Sequence, residues 1–206
     1  MNNRVELISY YGGDETHALS AWTSTKRELT EERKGRIGAM LKTLAESGHH
    51  TPFEKSMLHF LVDAETASHI HLIKHRIGVS INAESARYKE HKEDKYYIPQ
   101  DWPVEWRAIL EDHCIQCFDA YHTCIKELEP TLGRKRAKES ARFFLPYASQ
   151  LTFDVSFNFR SFMHFQNLRN HPDAQREIVE VAQTMLKLVW KTGNFDLSLK
   201  AYGLAR

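Results

Sequence analysis

The 206 residues carry 28 Lys and Arg against 27 Asp and Glu, a net charge of +1, with 42% hydrophobic and 27% charged side chains. That length and composition suit one globular domain spanning 1–206 with a sizeable core, and the balanced charge excludes a protein that grips nucleic acid through a broad basic face. No apolar run reaches the roughly 20 residues of a membrane span, Met1-Asn2-Asn3-Arg4 leads into no signal-like segment, and three cysteines build no disulfide framework; a cytoplasmic protein with no membrane or nucleic-acid partner is expected.

In chain order, Val5, Leu7, Ile8 and Tyr10 predict a first strand that Gly12-Gly13-Asp14 breaks, and a short helix over 15–24 follows. Thr30 caps a helix whose Ile37, Met40, Leu41 and Leu44 share one face, with Gly48 at its end. Thr51, Pro52 and Glu54 read as a capping box at a short helix start, a place that also offers free N–H groups to an anion. Residues 57–63 suit a buried strand, and Thr66 caps a helix through Ile70, Leu72 and Ile73. The mixed-charge run 88–95 reads as a solvated loop.

A long amphipathic helix is predicted over 104–128, with Cys114, Cys117, Phe118, Tyr121, Cys124, Ile125 and Leu128 on one side. The Cys-x2-Cys pair has no second pair, so helical spacing assigns all three thiols to core packing. A basic run from Arg134 to Arg142 is stopped at Leu145-Pro146. Phe153, Val155, Phe157 and Phe159 alternate with Thr152, Asp154, Ser156 and Asn158, the clearest strand in the chain. Helices over 160–169 and 174–190 complete it, the second repeating Ile178, Val181, Ala182, Met185, Leu186 and Val189.

The chemistry concentrates in Lys74-His75-Arg76-Ile77-Gly78-Val79-Ser80-Ile81-Asn82-Ala83-Glu84-Ser85-Ala86-Arg87. Its cations repel one another unless an anion lies between them, and Gly78, Ala83 and Ala86 permit close backbone approach, so the stretch suits an anionic, planar, polar ligand such as a nucleotide. His71 and His75 lie four apart on a helix without the carboxylate or thiol a metal site adds. There is no Walker loop, no Gly-x-Gly-x-x-Gly after a strand and no nucleophile elbow. Catalysis, if present, rests on arginines, positioning and a cofactor.

Four ordered blocks resemble the flavin-dependent thymidylate synthases, recognised by Arg-His-Arg-x2-Ser-x-Asn-x2-Ser-x-Arg. They are His49 to Glu54, the stretch 74–87, Ala141 to Pro146, and 157–169 with Asn158, Arg160, Asn167 and Arg169. The chain departs from the family where Lys74 replaces the first arginine and one extra residue precedes Ser80. It departs again where His71 stands for a common glutamine and His164 for a common asparagine.

The resemblance implies an α+β fold, a mainly antiparallel sheet flanked by long helices, in a homotetramer with sites where subunits meet. It implies reductive methylation of dUMP to dTMP with FAD, NADPH and methylenetetrahydrofolate. FAD contacts carried over are His49, Thr51, Glu54, His75, Arg76, Ile77, Asn82, Asn158, Arg160 and His164. The dUMP contacts are His71, Lys74, Glu84, Ser85, Ala86, Arg87, Arg142 and Arg169, with Arg169 also the catalytic group that polarises the uracil. The departures leave open a variant acting on UMP or transferring hydroxymethyl, and a non-catalytic flavin- and nucleotide-binding homologue.

Overall fold

The structure, a computed structural model, describes residues 2–85, 87 and 89–204; Ala86, one of the expected dUMP contacts, lies outside the described residues. The architecture is α+β, a four-stranded sheet in the order β1-β2-β4-β3 with seven α-helices among the described residues. The strands are β1 (Arg4–Tyr11), β2 (Met57–Glu65), β3 (Val79–Ala83) and β4 (Gln150–Asn158). The helices are α1 (Asp14–Trp22), α2 (Glu31–Glu46), α3 (Thr66–Ile73), α4 (Val104–Ala141), α5 (Phe159–Arg169), α6 (Arg176–Thr192) and α7 (Asp196–Ala201). β3 runs antiparallel to β4: Asn158 N donates to Gly78 O at one end, and Glu84 N to Thr152 O at the other, both 2.9 Å.

The chain folds into two compact units. One is drawn from Met1–Arg4, Asp63–Leu72 and Asn82–Phe153, the other from Val5–Val62, Ile73–Ile81 and Asp154–Arg206. In the first, Phe118, Tyr121, Ile125 and Ala141 pack with Tyr96, Cys124 and Leu145. In the second, Phe60, Phe157, Phe162 and Phe165 are fully buried, as are Phe53, Phe159 and Phe195. Phe159 stacks on Phe195 at 5.4 Å. Burying a large side chain of this kind is worth about 1.5–3 kcal/mol, so these aromatic clusters dominate the core.

Most predicted elements form, with physical reasons for the exceptions. Thr30 caps α2 by accepting from Arg33 N. Thr51 does not cap: it is the first residue of a 3₁₀ turn Thr51–Glu54 whose cap position is His50, with no side-chain cap bond, because Glu54 is held by Arg160 instead. Thr66 likewise is the first residue of α3, its hydroxyl donating to Ser149 O at 3.0 Å. Phe159 leaves the strand and opens α5, capped by Asn158 accepting from Ser161 N.

The predicted helix over 104–128 continues to Ala141 with a break at Gly133, φ +74°. Residues 89–95 are not a purely solvated loop. Glu90 pairs with Arg134 at 2.6 Å and Asp94 with His122 at 2.7 Å, and His91 N donates to the Tyr121 hydroxyl at 3.2 Å. β3 and α7 carry no sequence prediction, since five and six residues are too short for a period to declare itself. Among the described residues no helix is long and apolar enough to cross a membrane.

Candidate functional site

In the second unit, the turn between α3 and β3 meets the start of α5. Ile77 and Gly78 form that turn, and Gly78 takes φ +64°. A Cβ on Gly78 would fall 2.2 Å from Asn158 Nδ2 and 2.5 Å from Ser161 Oγ, so only glycine fits. Ser161 Oγ donates to Ile77 O at 2.6 Å while Ser161 N donates to Asn158 Oδ1 at 2.8 Å. The α5 N-terminus is thus stitched to the turn. The three residues between Arg76 and Ser80, one more than the family spacing, are this turn and the first residue of β3.

A cleft of about 470 Å³ opens here, lined by His50, Ile77, Arg160, Ser161, Met163, His164, Asn167, Tyr202 and Leu204. Arg160 Nη1 donates to Glu54 Oε1 at 2.5 Å, and both side chains keep part of their surface exposed. Behind His164, the His75 ring lies edge-on at 5.8 Å and edge-on to Phe165 at 5.2 Å. His75 is buried and its Nε2 accepts from Arg169 Nε at 3.1 Å. Tyr202 packs against Phe53 at 5.1 Å and His50 at 5.7 Å. Its hydroxyl is buried without a hydrogen-bond partner among the described residues, and burial pushes its pKa up to about 12.

Of the expected flavin contacts, Ile77, Arg160 and His164 line this cleft, and Glu54 and Asn158 reach it through Arg160 and Ser161. His50 lines it and His49 does not. Arg76 is exposed beside the turn, and Thr51 opens the 3₁₀ turn. Lys74 is exposed directly after α3. His50, Met163, Tyr202 and Leu204 were not expected here. No pattern in the sequence marks Tyr202 or Leu204, which reach the cleft only because α7 folds back.

In the first unit, Glu84 and Arg142 line one cleft of about 310 Å³ with Thr66, Ile70, His91, Leu145 and Tyr147 among its other walls. Burial pushes the Glu84 carboxyl up, but the Lys89 ammonium and the Thr152 N–H outweigh it and hold it below the usual carboxylate range. Arg87 Nε donates to Glu139 Oε1 at 2.7 Å, and Arg87 N donates to Ser85 Oγ at 3.3 Å. His91 is pushed below its usual range, chiefly by burial. His71 sits half-buried in the last turn of α3, and Asn82 lies in β3. Cys114 is buried, its thiol pushed up to about 11 by that burial, which suits packing and not nucleophilic attack. Among the described residues no three His, Cys, Asp or Glu side chains are grouped to hold a metal.

Known relatives identify the class of protein to which this α+β fold with an arginine-bearing cleft belongs. The chain belongs to the family described as "Thymidylate synthase complementing protein", which matches residues 6–192. It is 31% identical over 190 residues to the flavin-dependent thymidylate synthase of Thermotoga neapolitana, covering 89% of this chain and 84% of that one. With that of Pseudothermotoga lettingae it shares 30% over 183 residues, covering 86% and 80%. The crystal structure of a UMP/dUMP methylase PolB from Streptomyces cacaoi, bound with 5-Br dUMP, superposes with a TM-score of 0.82 at 26% identity, over 98% of this chain and 95% of that one.

Proposed function

We propose that this chain is a flavin-dependent thymidylate synthase, methylating C5 of dUMP with the one-carbon unit of methylenetetrahydrofolate and reducing equivalents from NADPH. The observation that carries the reading is the cleft at the α5 N-terminus, with Arg160 at its wall and Arg169 held behind it, in a chain of this family. The whole chain acts as one catalytic domain in the cytoplasm, and it works as a homotetramer whose sites are completed where subunits meet.

The cleft suits a flavin. Ile77, Met163, Leu204 and the Tyr202 ring offer surface for a flat ring system, and Arg160, Ser161, Asn167, His50 and His164 offer polar contacts around it. Its volume falls within the roughly 300–1,000 Å³ of small-molecule sites, and the Tyr202 hydroxyl, without a partner among the described residues, is a polar group that a ligand could satisfy. FAD bound there would supply hydride transfer. Glu54, His75, Arg76, Ile77, Asn158, Arg160 and His164 hold it, with His49, Thr51 and Asn82 as further contacts.

On the substrate side, Ser85 and Arg87 with Arg142 hold the nucleotide phosphate, and Ala86, Glu84, His71 and Lys74 line the nucleoside. Arg169 turns its terminal guanidinium nitrogens to the uracil edge and stabilises the negative charge that develops there, which a planar fork does better than a point charge. No enzyme nucleophile is needed, in keeping with a buried, undissociated Cys114. A second reading, acceptance of UMP beside dUMP, is supported by the likeness to the S. cacaoi UMP/dUMP methylase.

Freshly purified protein is expected to absorb in the flavin band and to oxidise NADPH only when dUMP and methylenetetrahydrofolate are present. Arg169→Ala is expected to keep flavin and lose all but a residual turnover. Absence of flavin from protein reconstituted with FAD, or no dUMP-dependent oxidation, would refute the assignment. Product analysis with UMP as sole nucleotide decides the second reading.

A further inference from the structure

The side chain of Arg169, the last residue of α5, makes one hydrogen bond among the described residues, and it is an unusual one. The guanidinium Nε–H donates to an imidazole nitrogen, His75 Nε2, at 3.1 Å. His75 lies on the loop after α3 and is 8% exposed. The edges of Phe165, at 5.2 Å and 76°, and His164, at 5.8 Å and 67°, fix its plane. An imidazole that accepts at Nε2 carries its proton on Nδ1 and is neutral. No carboxylate pairs with Arg169 among the described residues.

We propose that His75 is a positioning residue for Arg169. Holding Nε fixes the last torsion of a long side chain and with it the plane of the guanidinium. The two terminal nitrogens, with four N–H bonds, have no hydrogen-bond partner among the described residues. A carboxylate in the place of His75 would take those terminal donors in a two-pronged contact and neutralise the charge. A neutral single acceptor orients the fork and leaves its charge whole. His75 therefore acts through Arg169, beyond the flavin contact that the family resemblance attributes to it. The inference rests on the reading of Arg169 as the group that meets the uracil.

Three variants test it: His75→Phe fills the ring's place without an acceptor, His75→Gln restores a neutral acceptor, and Arg169→Ala gives the reference background. His75→Phe is expected to lower kcat at saturating FAD by about 100-fold, the scale of a misplaced reacting group, a loss that its change in FAD affinity, read by fluorescence titration, does not account for. His75→Gln is expected to recover part of that loss. In the Arg169→Ala background His75→Phe is expected to cost nothing further, because the pair acts as a unit.

The Arg169 Nε–H proton resonance, recorded on ¹⁵N-labelled protein, reads the contact without any turnover. It is expected to be sharp and protected in the wild type and lost in His75→Phe. Multiplicative losses in the double variant would overturn the proposal. So would a fall in FAD affinity that accounts for the lost activity, or an Nε–H signal unchanged in His75→Phe. Wild-type protein that binds no flavin would instead refute the proposed function, while the resonance still decides the contact.

Discussion

Gly78→Ala isolates the joint on which the second unit's cleft depends. Gly78 sits at φ +64°, where an L-residue costs about 1–2 kcal/mol. Its new Cβ would lie 2.2 Å from Asn158 Nδ2 and 2.5 Å from Ser161 Oγ, so both side chains must move. Displacing Asn158 removes the α5 N-cap, worth about 0.5–2 kcal/mol. Displacing Ser161 breaks its bond to Ile77 O, worth about 1 kcal/mol net. The sum centres near 3–4 kcal/mol, which at a urea slope of about 2–3 kcal/mol/M moves the midpoint down by roughly 1–2 M. Urea unfolding followed by circular dichroism measures it. A midpoint within about 0.3 M of wild type would show that the turn relaxes freely and that the stitch between loop and helix is not structural. FAD affinity is expected to fall with it, because Ile77 lines the cleft from the same turn.

Two further predictions follow from buried titratable groups. His17 is fully buried, with Nδ1 donating to Ser198 Oγ at 2.8 Å and Nε2 accepting from Ser56 Oγ at 2.7 Å, and burial lowers its pKa from 6.5 to about 4. The unfolded chain binds the proton first, so this group's contribution is whole above pH 6.5 and is lost as pH falls toward 4, reaching up to about 3 kcal/mol at 1.36 kcal/mol per unit. The Asp14 carboxyl, raised by burial and bonded to Ser198, works in the opposite sense at its own titration. Urea midpoints at pH 7, 5.5 and 4.5 should therefore fall in wild type and fall less in His17→Gln; equal slopes would refute the argument. For the thiols, iodoacetamide is expected to label the half-exposed Cys117 well before Cys114, whose pKa burial pushes up to about 11; mass spectrometry of a time course checks it, and equal labelling would contradict the packing role.

Elements with a sustained period are legible in the sequence. Phe153, Val155 and Phe157 alternate with Thr152, Asp154 and Ser156, and β4 forms over Gln150–Asn158 with the first set buried. Ile178, Val181, Ala182, Met185 and Val189 recur at helical spacing and are the buried face of α6. Phe159 shows where the pattern misleads: it continues the alternation, yet Asn158 caps a helix in front of it, and local cap chemistry wins over a period of two. Thr51 misleads in the other way. A capping box needs Glu54 to reach back, and a distant arginine takes that carboxylate first. Tyr202 and Leu204 are out of reach of any periodic reading. They arrive at the cleft because Asp14, far away in sequence, accepts from Leu197 N and Ser198 N, both at 2.8 Å, and ties down the start of α7.

What distinguishes the site from an ordinary charged surface is how its arginines are partnered. Periodicity reports which residues share a face within one element, and the pairs that matter here join residues 106 and 94 positions apart, Arg160 with Glu54 and Arg169 with His75. Each arginine uses a single nitrogen on its partner. Arg160 gives Nη1 to one carboxylate oxygen, and Arg169 gives Nε to a neutral ring. A guanidinium has five N–H bonds, so both side chains are oriented while most of their donors have no partner among the described residues. The two partners differ in charge, and on the proposed assignment that difference separates their tasks. Glu54 offsets the charge of Arg160, so an anionic ligand drawn to that side chain must share it with a carboxylate, which suits reversible cofactor binding. His75 offsets none of the charge of Arg169, which on the proposed assignment leaves the full positive charge for a substrate whose own negative charge appears only during reaction.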